Sequence, residues 1–147
     1  SVSLSGDATT VAIASSSHGD EKGRLQVFRL LESDWTLNET IYGGAGYCNF
    51  GYPLSISKDG NRIAVASSSF VGADVSCLDH DANEENKDDK GRVQIFDYSN
   101  STGWAQMGPG ILGDEGGDLF GNALSLSGDG STLAVGSASN DATGEDS

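Results

Sequence analysis

The chain has few bases. Eight lysines and arginines stand against 22 aspartates and glutamates, for a formal charge of −14. Such a field repels phosphate backbones and anionic headgroups, which argues against nucleic acid or a negatively charged membrane as partner. No apolar run is long enough to insert across a bilayer as a helix, and no signal-peptide pattern is present. No stretch carries the periodicity of a long helix, which leaves strands. Serines are plentiful, yet no nucleophile elbow and no histidine-partnered triad accompanies them. Carboxylates abound without any feature that selects a catalytic pair. The clusters Gly43-Gly44-Ala45-Gly46 and Gly113-Asp114-Glu115-Gly116-Gly117 are followed by no helix, so they read as turns and not as phosphate cradles. The chain is therefore read as a non-enzyme.

What is present is repetition. Phe50-Gly51-Tyr52-Pro53-Leu54-Ser55-Ile56-Ser57-Lys58-Asp59-Gly60 returns as Phe120-Gly121-Asn122-Ala123-Leu124-Ser125-Leu126-Ser127-Gly128-Asp129-Gly130. Ser1 to Asp7 is the same text without its Phe-Gly. A second block, Lys22-Gly23-Arg24-Leu25-Gln26-Val27-Phe28, returns as Lys90-Gly91-Arg92-Val93-Gln94-Ile95-Phe96 with only apolar exchanges. Trp35 and Trp104 follow at matching distances. Blocks recurring in the same order mark a repeat architecture.

Each repeat reads as four short strands. The first alternates apolar and polar residues, as in Val2 to Ser5. Asp59-Gly60 and Asp129-Gly130 then supply a tight turn. The first copy has Asp7-Ala8, so its turn is expected to differ in detail. The second strand is Val11-Ala12-Ile13-Ala14, Ile63-Ala64-Val65-Ala66 or Leu133-Ala134-Val135-Gly136. Large residues alternate with small ones and none is polar, so both faces are covered, one very closely. The third strand is Arg24 to Leu30 or Arg92 to Tyr98. The fourth opens near the tryptophan. Four-stranded antiparallel units stacked face to face give an all-β chain of β-propeller blades. The expected units are 1–48, 49–118 and the partial 119–147. Two and a half blades, no initiator methionine and a stop within a blade point to part of a larger propeller.

Phe-Gly, an alternating strand, Asp-Gly and an apolar strand ending in Gly-Ser-Ala or Ala-Ser-Ser resemble the FG-GAP repeat of integrin α-subunit propellers. The resemblance covers nearly the whole chain. It implies an extracellular structural or adhesive module and often a calcium loop between the first two strands. Here each such loop keeps one carboxylate, and calcium takes six to eight oxygens, so that site is not carried over.

Several candidate sites remain. The loop 68–90 is long and acidic, against the short Ser16–Lys22 of the first unit. Within it Asp79, Asp81, Asn83 and Glu85 place oxygens at every second residue, as a calcium loop does. Glu84 and Lys90 break the EF-hand pattern, and a solvated acidic loop is the favoured reading over a calcium site. Arg24 and Arg92 frame the third strand and are expected to pair with the acidic loops. Cys48 and Cys77 fall on connections sharing one rim, which favours a disulfide over two free thiols. Asn38-Glu39-Thr40 and Asn100-Ser101-Thr102 are glycosylation sequons. Together these point to a secreted or cell-surface location. Trp35 and Trp104 are read as covers for each unit's outer edge, with glycan stacking as the functional alternative. The expected role is display of rim loops to a protein or glycan partner. Self-assembly into a fibre follows if two open faces join head to tail. A lectin-like propeller is the alternative, and a propeller hydrolase or lyase the less favoured one.

Overall fold

A computed structural model describes residues 1–19, 22–44, 47–67, 69–70 and 90–140. All regular structure among the described residues is β. The first unit holds β1 (Val2–Leu4), β2 (Thr10–Ser15), β3 (Arg24–Leu31) and β4 (Asp34–Tyr42), hydrogen-bonded antiparallel in that order. A short β5 (Tyr47–Cys48) leads into β6 (Leu54–Ile56) and β7 (Arg62–Ser67), followed by β8 (Ser69–Phe70), β9 (Arg92–Ser99), β10 (Gly103–Gln106) and β11 (Ile111–Leu112). The second sheet runs β6-β7-β9-β10, with β11 also on β9. The third unit shows β12 (Phe120–Leu126) and β13 (Leu133–Ser137), paired antiparallel.

The segment 68–90 is not wholly a loop. Its residues Ser69–Phe70 pair in backbone with Tyr47–Cys48, so the entry to the second unit is tied down beside the start of the insertion. Cys77, and the candidate calcium residues Asp79, Asp81, Asn83 and Glu85, lie outside the described residues.

Of the apolar second strands, β7 is buried on both faces as its composition requires, whereas β2 leaves Ile13 40% exposed and β13 is half-buried. Among the described residues no unit lies in front of the first or behind the third. Side chains on a strand alternate between faces. Ile63 and Val65 of β7 point into a core shared with Ala12, Ala14, Leu25 and Val27 of the first unit. Leu54, Ile56, Phe96 and Trp104 complete the second unit's side of that core. Ala64 and Ala66, both fully buried, lie on the opposite face. There the third unit comes close: a methyl on Gly121 would stand 3.2 Å from the Ala66 methyl and 3.1 Å from Val93. Each unit thus turns large residues toward its predecessor and small ones toward its successor. The small side admits the close approach, and the large side fills the space that remains.

The Phe-Gly element joins the units. Phe50 is almost fully buried and pairs in backbone with Gly23 of the first unit. A methyl on Gly23 would meet the Phe50 carbonyl oxygen at 2.0 Å, and one on Gly43 would meet the Lys22 carbonyl oxygen at 1.8 Å. The next unit repeats this with Phe120 against Gly91 and Gly113, at 2.1 Å from the Phe120 oxygen and 2.0 Å from the Lys90 oxygen. Gly23 and Gly91 are required because the next unit's backbone occupies the place of a side chain, and Gly43 and Gly113 because the backbone of Lys22 and Lys90 in their own unit does. Asn49 and Leu119, just before the phenylalanines, take positive φ of 58° and 55°.

Candidate functional site

The turn between the first two strands is built identically three times. Ser5 Oγ donates to Asp7 Oδ1, Ser57 Oγ to Asp59 Oδ1 and Ser127 Oγ to Asp129 Oδ1, each at 2.6 Å. The same aspartate oxygens accept from the backbone N–H of Thr9, Asn61 and Ser131. The serine oxygens in turn accept from the N–H of Thr10, Arg62 and Thr132. Short polar side chains that bond local backbone favour turns over ladders. The serine hydroxyl, then the backbone donor, holds each of these three carboxyls below its ordinary value, Asp129 at about 2.

The first turn does not differ from the others, contrary to the expectation from Asp7-Ala8. Ala8 adopts φ 57°, where Gly60 and Gly130 take 69° and 71°. Its N–H bonds the Ser5 carbonyl at 3.0 Å, as Gly60 bonds Ser57 and Gly130 bonds Ser127. The serine–aspartate pair enforces the turn strongly enough that alanine accepts a conformation it disfavours.

These turns also touch one another. The Gly6 N–H donates to the Lys58 carbonyl at 2.9 Å, and the Lys58 N–H donates to the Gly128 carbonyl at 2.7 Å. The three residues hold the same place in their turns, so a head-to-tail ladder runs from unit to unit. Arginines reinforce it. Arg29 of β3 donates through Nη2 to the Gly60 carbonyl (3.1 Å) and to Asn61 Oδ1 (2.6 Å). Its guanidinium lies 3.8 Å over the Tyr98 ring. Arg62 of β7 donates through Nη1 to the Gly130 carbonyl (2.7 Å), while Nε and Nη2 grip both oxygens of Asp97 at 2.5 and 2.7 Å. That bidentate bond, and then the Asp97 charge, raises the Arg62 pKa against partial burial.

The tryptophans part company. Trp104 is 9% exposed and sits in the shared core, tilted against Tyr98 at 5.5 Å. Its Nε1–H donates to Asn38 Oδ1 of the first unit at 2.9 Å. It is a contact between units and offers no open ring face to a sugar. Trp35 is 47% exposed. With Leu4, Val11, Ile13 and Phe28 it lines an open apolar groove of about 400 Å³. The register shows that these are one surface seen twice. Phe28 pairs with Val11 and Leu37, and Phe96 with Ile63 and Gln106; Trp35 pairs with Leu30 as Trp104 pairs with Tyr98. The second unit's copy is covered by the first unit, and nothing among the described residues covers the first unit's copy.

Asn38 and Asn100 occupy different settings. Asn38 is the extra residue of a bulge in β4, since Val27 pairs with Glu39 and Phe28 with Leu37. The bulge aims its amide at Trp104. Asn100 lies exposed in the turn between β9 and β10. Arg92 donates to the Pro109 carbonyl. The expected pairing of Arg24 and Arg92 with the acidic loop involves residues outside the described set. His18 stacks loosely on Tyr42, with ring centres 6.1 Å apart. Arg29 was not singled out by sequence reasoning, because Asp97 holds its place in the second unit; Asn38 was marked only as a sequon, and Ala8 only as a departure from Asp-Gly.

No described group of histidine, cysteine and carboxylate side chains is arranged to hold a metal ion. No described helix is long and apolar enough to cross a membrane. Comparison with protein-family models and with curated proteins finds no match.

Proposed function

We propose that the chain is a stretch of a non-catalytic β-propeller, of the kind the FG-GAP resemblance implies, that displays rim segments to a protein or glycan outside the cell. One observation carries this reading. The residues common to the units are engaged by the fold itself. The phenylalanine fills the glycine cradle, the serine and aspartate tie the turn, and the alternating strand joins neighbours. Chemistry that distinguishes this chain must then lie in what differs between units. The largest difference is the acidic stretch 68–90, attached to a rigid frame at Ser67 and Lys90. Sheets that repeat the same side-by-side contact suit blades around an axis. The exposed Asn100 and the bulged Asn38 are compatible with glycosylation, and Cys48 with Cys77 is a proposed disulfide.

Two measurements test this. Secretion from a eukaryotic host followed by intact-mass analysis should show glycan removable by glycosidase and no titratable thiol. An unmodified, reduced mass would end the extracellular argument. For display, immobilised chain is compared with a variant whose residues 71–89 are replaced by Ser16–Lys22, against a glycan array and a cell-adhesion assay. With Cys48→Ser made in both proteins, so that the proposed disulfide is absent from each, the variant should keep its melting temperature and lose binding. The lectin alternative rests on Trp35, and Trp35→Ala on the same array separates it. The groove beside Trp35 is lined by apolar side chains alone, which suits a protein surface better than sugar hydroxyls.

A further inference from the structure

We propose that the open face around Leu4, Ile13 and Trp35 docks one further unit of the same repeat. That unit is of the second unit's type, with arginine at the Arg62 position and aspartate at the Asp97 position. The inference stands on how the units pack and not on what the rim binds.

The face is a copy of two that are already covered. Val65 and Ile56 on the second unit's front are nearly inaccessible, whereas their counterparts Ile13 and Leu4 are 40% and 54% exposed. The third unit presents Leu126, Leu133 and Val135 at the same places, toward Ala64 and Ala66. A surface of this shape is satisfied in both cases by the small-residue side of a preceding unit. The polar edge matches as well. Gly6 stands where Lys58 and Gly128 stand, whose carbonyls accept a turn N–H from the unit before. Ala8 stands where Gly60 and Gly130 stand, whose carbonyls accept an arginine.

Ala8 selects which unit fits. A methyl at Gly60 would meet Thr10 Oγ1 of the first unit at 2.5 Å. A methyl at Gly130 would meet Arg62 Cδ of the second unit at 3.3 Å. The first contact cannot be relieved by a short branched side chain. The second needs a flexible one to give by a few tenths of an ångström. Ala8 carries that methyl. It therefore rejects a preceding unit with threonine at the Thr10 position and accepts one with arginine there. Thr132 holds the Thr10 position in the third unit, its N–H on Ser127 Oγ as Thr10's is on Ser5 Oγ. A second copy docking through that unit meets the same clash, so a second copy is not the occupant.

The test adds a unit to the full chain. Ser1 aligns with Ala123, so residues 49–122 placed directly ahead of residue 1 keep the Phe-Gly lead-in. With Trp104→Phe in both copies, Trp35 is the sole tryptophan and is excited selectively over tyrosine. Its iodide quenching should fall several-fold and its emission shift to the blue. Residues 1–52 carrying Trp35→Phe, placed ahead instead, should leave the host Trp35 quenchable, and Ala8→Gly in the host should then protect it. Unprotected Trp35 in the first fusion overturns the docking, and equal protection by both fusions overturns the selection by Ala8. The original chain gives an independent reading that needs no fusion. Sedimentation velocity should find monomers with Trp35 accessible. Head-to-tail oligomers with Trp35 protected would show that a second copy fills the face and would overturn the assignment.

Discussion

Arg29 on β3 and Arg62 on β7 bond the same turn position of the unit that follows, Gly60 and Gly130, although they stand on different strands. Thr10 pairs with Arg29 across the first sheet, and Arg62 pairs with Asp97 across the second. The arginine has moved to the neighbouring strand, and its old place holds the aspartate that anchors it. The contact is kept while the sequence position is not. Arg29→Ala and Arg62→Ala should each destabilise the fold by about 1.5–3 kcal/mol in urea titrations, the range for a bond from a charged donor. Arg62→Lys should not restore stability, because a point charge cannot grip Asp97 and reach Gly130 together. The Arg62–Asp97 pair is about a third exposed, at 30% and 36%. A double-mutant cycle should therefore find a coupling of only about 0.5–1 kcal/mol.

Trp35 and Trp104 should answer opposite questions. Trp104→Ala removes a buried ring from the shared core and should cost about 3–5 kcal/mol. Asn38→Ala leaves the Trp104 N–H without its acceptor and should cost about 1 kcal/mol. Trp35→Ala should change stability by less than about 1 kcal/mol, since the side chain is already half in water. Thermal melts of the three variants check the order. Comparable losses for the two tryptophans would mean that Trp35 is covered.

Acid should loosen the turns in a defined window. Asp7, Asp59 and Asp129 all have folded values below the ordinary 3.8. Each therefore contributes stability above the unfolded value, and loses it as pH falls through the folded value. For Asp129 the loss runs from about pH 4 down to about 2. Ser127→Ala removes the largest cause of that shift. It should lower stability at neutral pH and flatten the acid limb of a melting-temperature profile. A parallel downward offset, with the limb unchanged, would separate the turn from the acid response.

Ala8 and Gly60 predict opposite signs for similar edits. Ala8→Gly relieves a positive φ and should raise stability by about 0.5–1 kcal/mol. Gly60→Ala creates that strain and a 2.5 Å contact with Thr10. It should destabilise by more than the first edit gains, and paired chemical-denaturation curves would show both.

The strands were legible where their chemistry is local. Ile63-Ala64-Val65-Ala66 announced a strand covered on both faces, and Asp59-Gly60 announced its turn; the same pattern in Val11-Ala12-Ile13-Ala14 did not tell that its large-residue face is open among the described residues. Two kinds of information were not local. Ala8 looked like a broken turn because the Ser5–Asp7 bond that enforces it lies in side chains, not in the dipeptide. Trp35 and Trp104 looked equivalent because the sequence of one unit does not record what stands in front of it. The bulge that turns Asn38 toward Trp104 is also invisible in a pattern of alternation. It adds one residue on one strand only, and its effect is felt across a contact made with residues 66 positions away.

Phe50 has a consequence for how such a chain is divided. Aligned text places it at the head of the second repeat, yet its ring and backbone complete the glycine cradle of the first. A cut made just before it would strip the first sheet of its filling and leave the second with an unhoused aromatic ring. The segment that was copied and the segment that can stand alone are therefore offset along the chain. Grafting, truncation or domain shuffling in this molecule should follow the latch, with each Phe-Gly travelling with the sheet that precedes it.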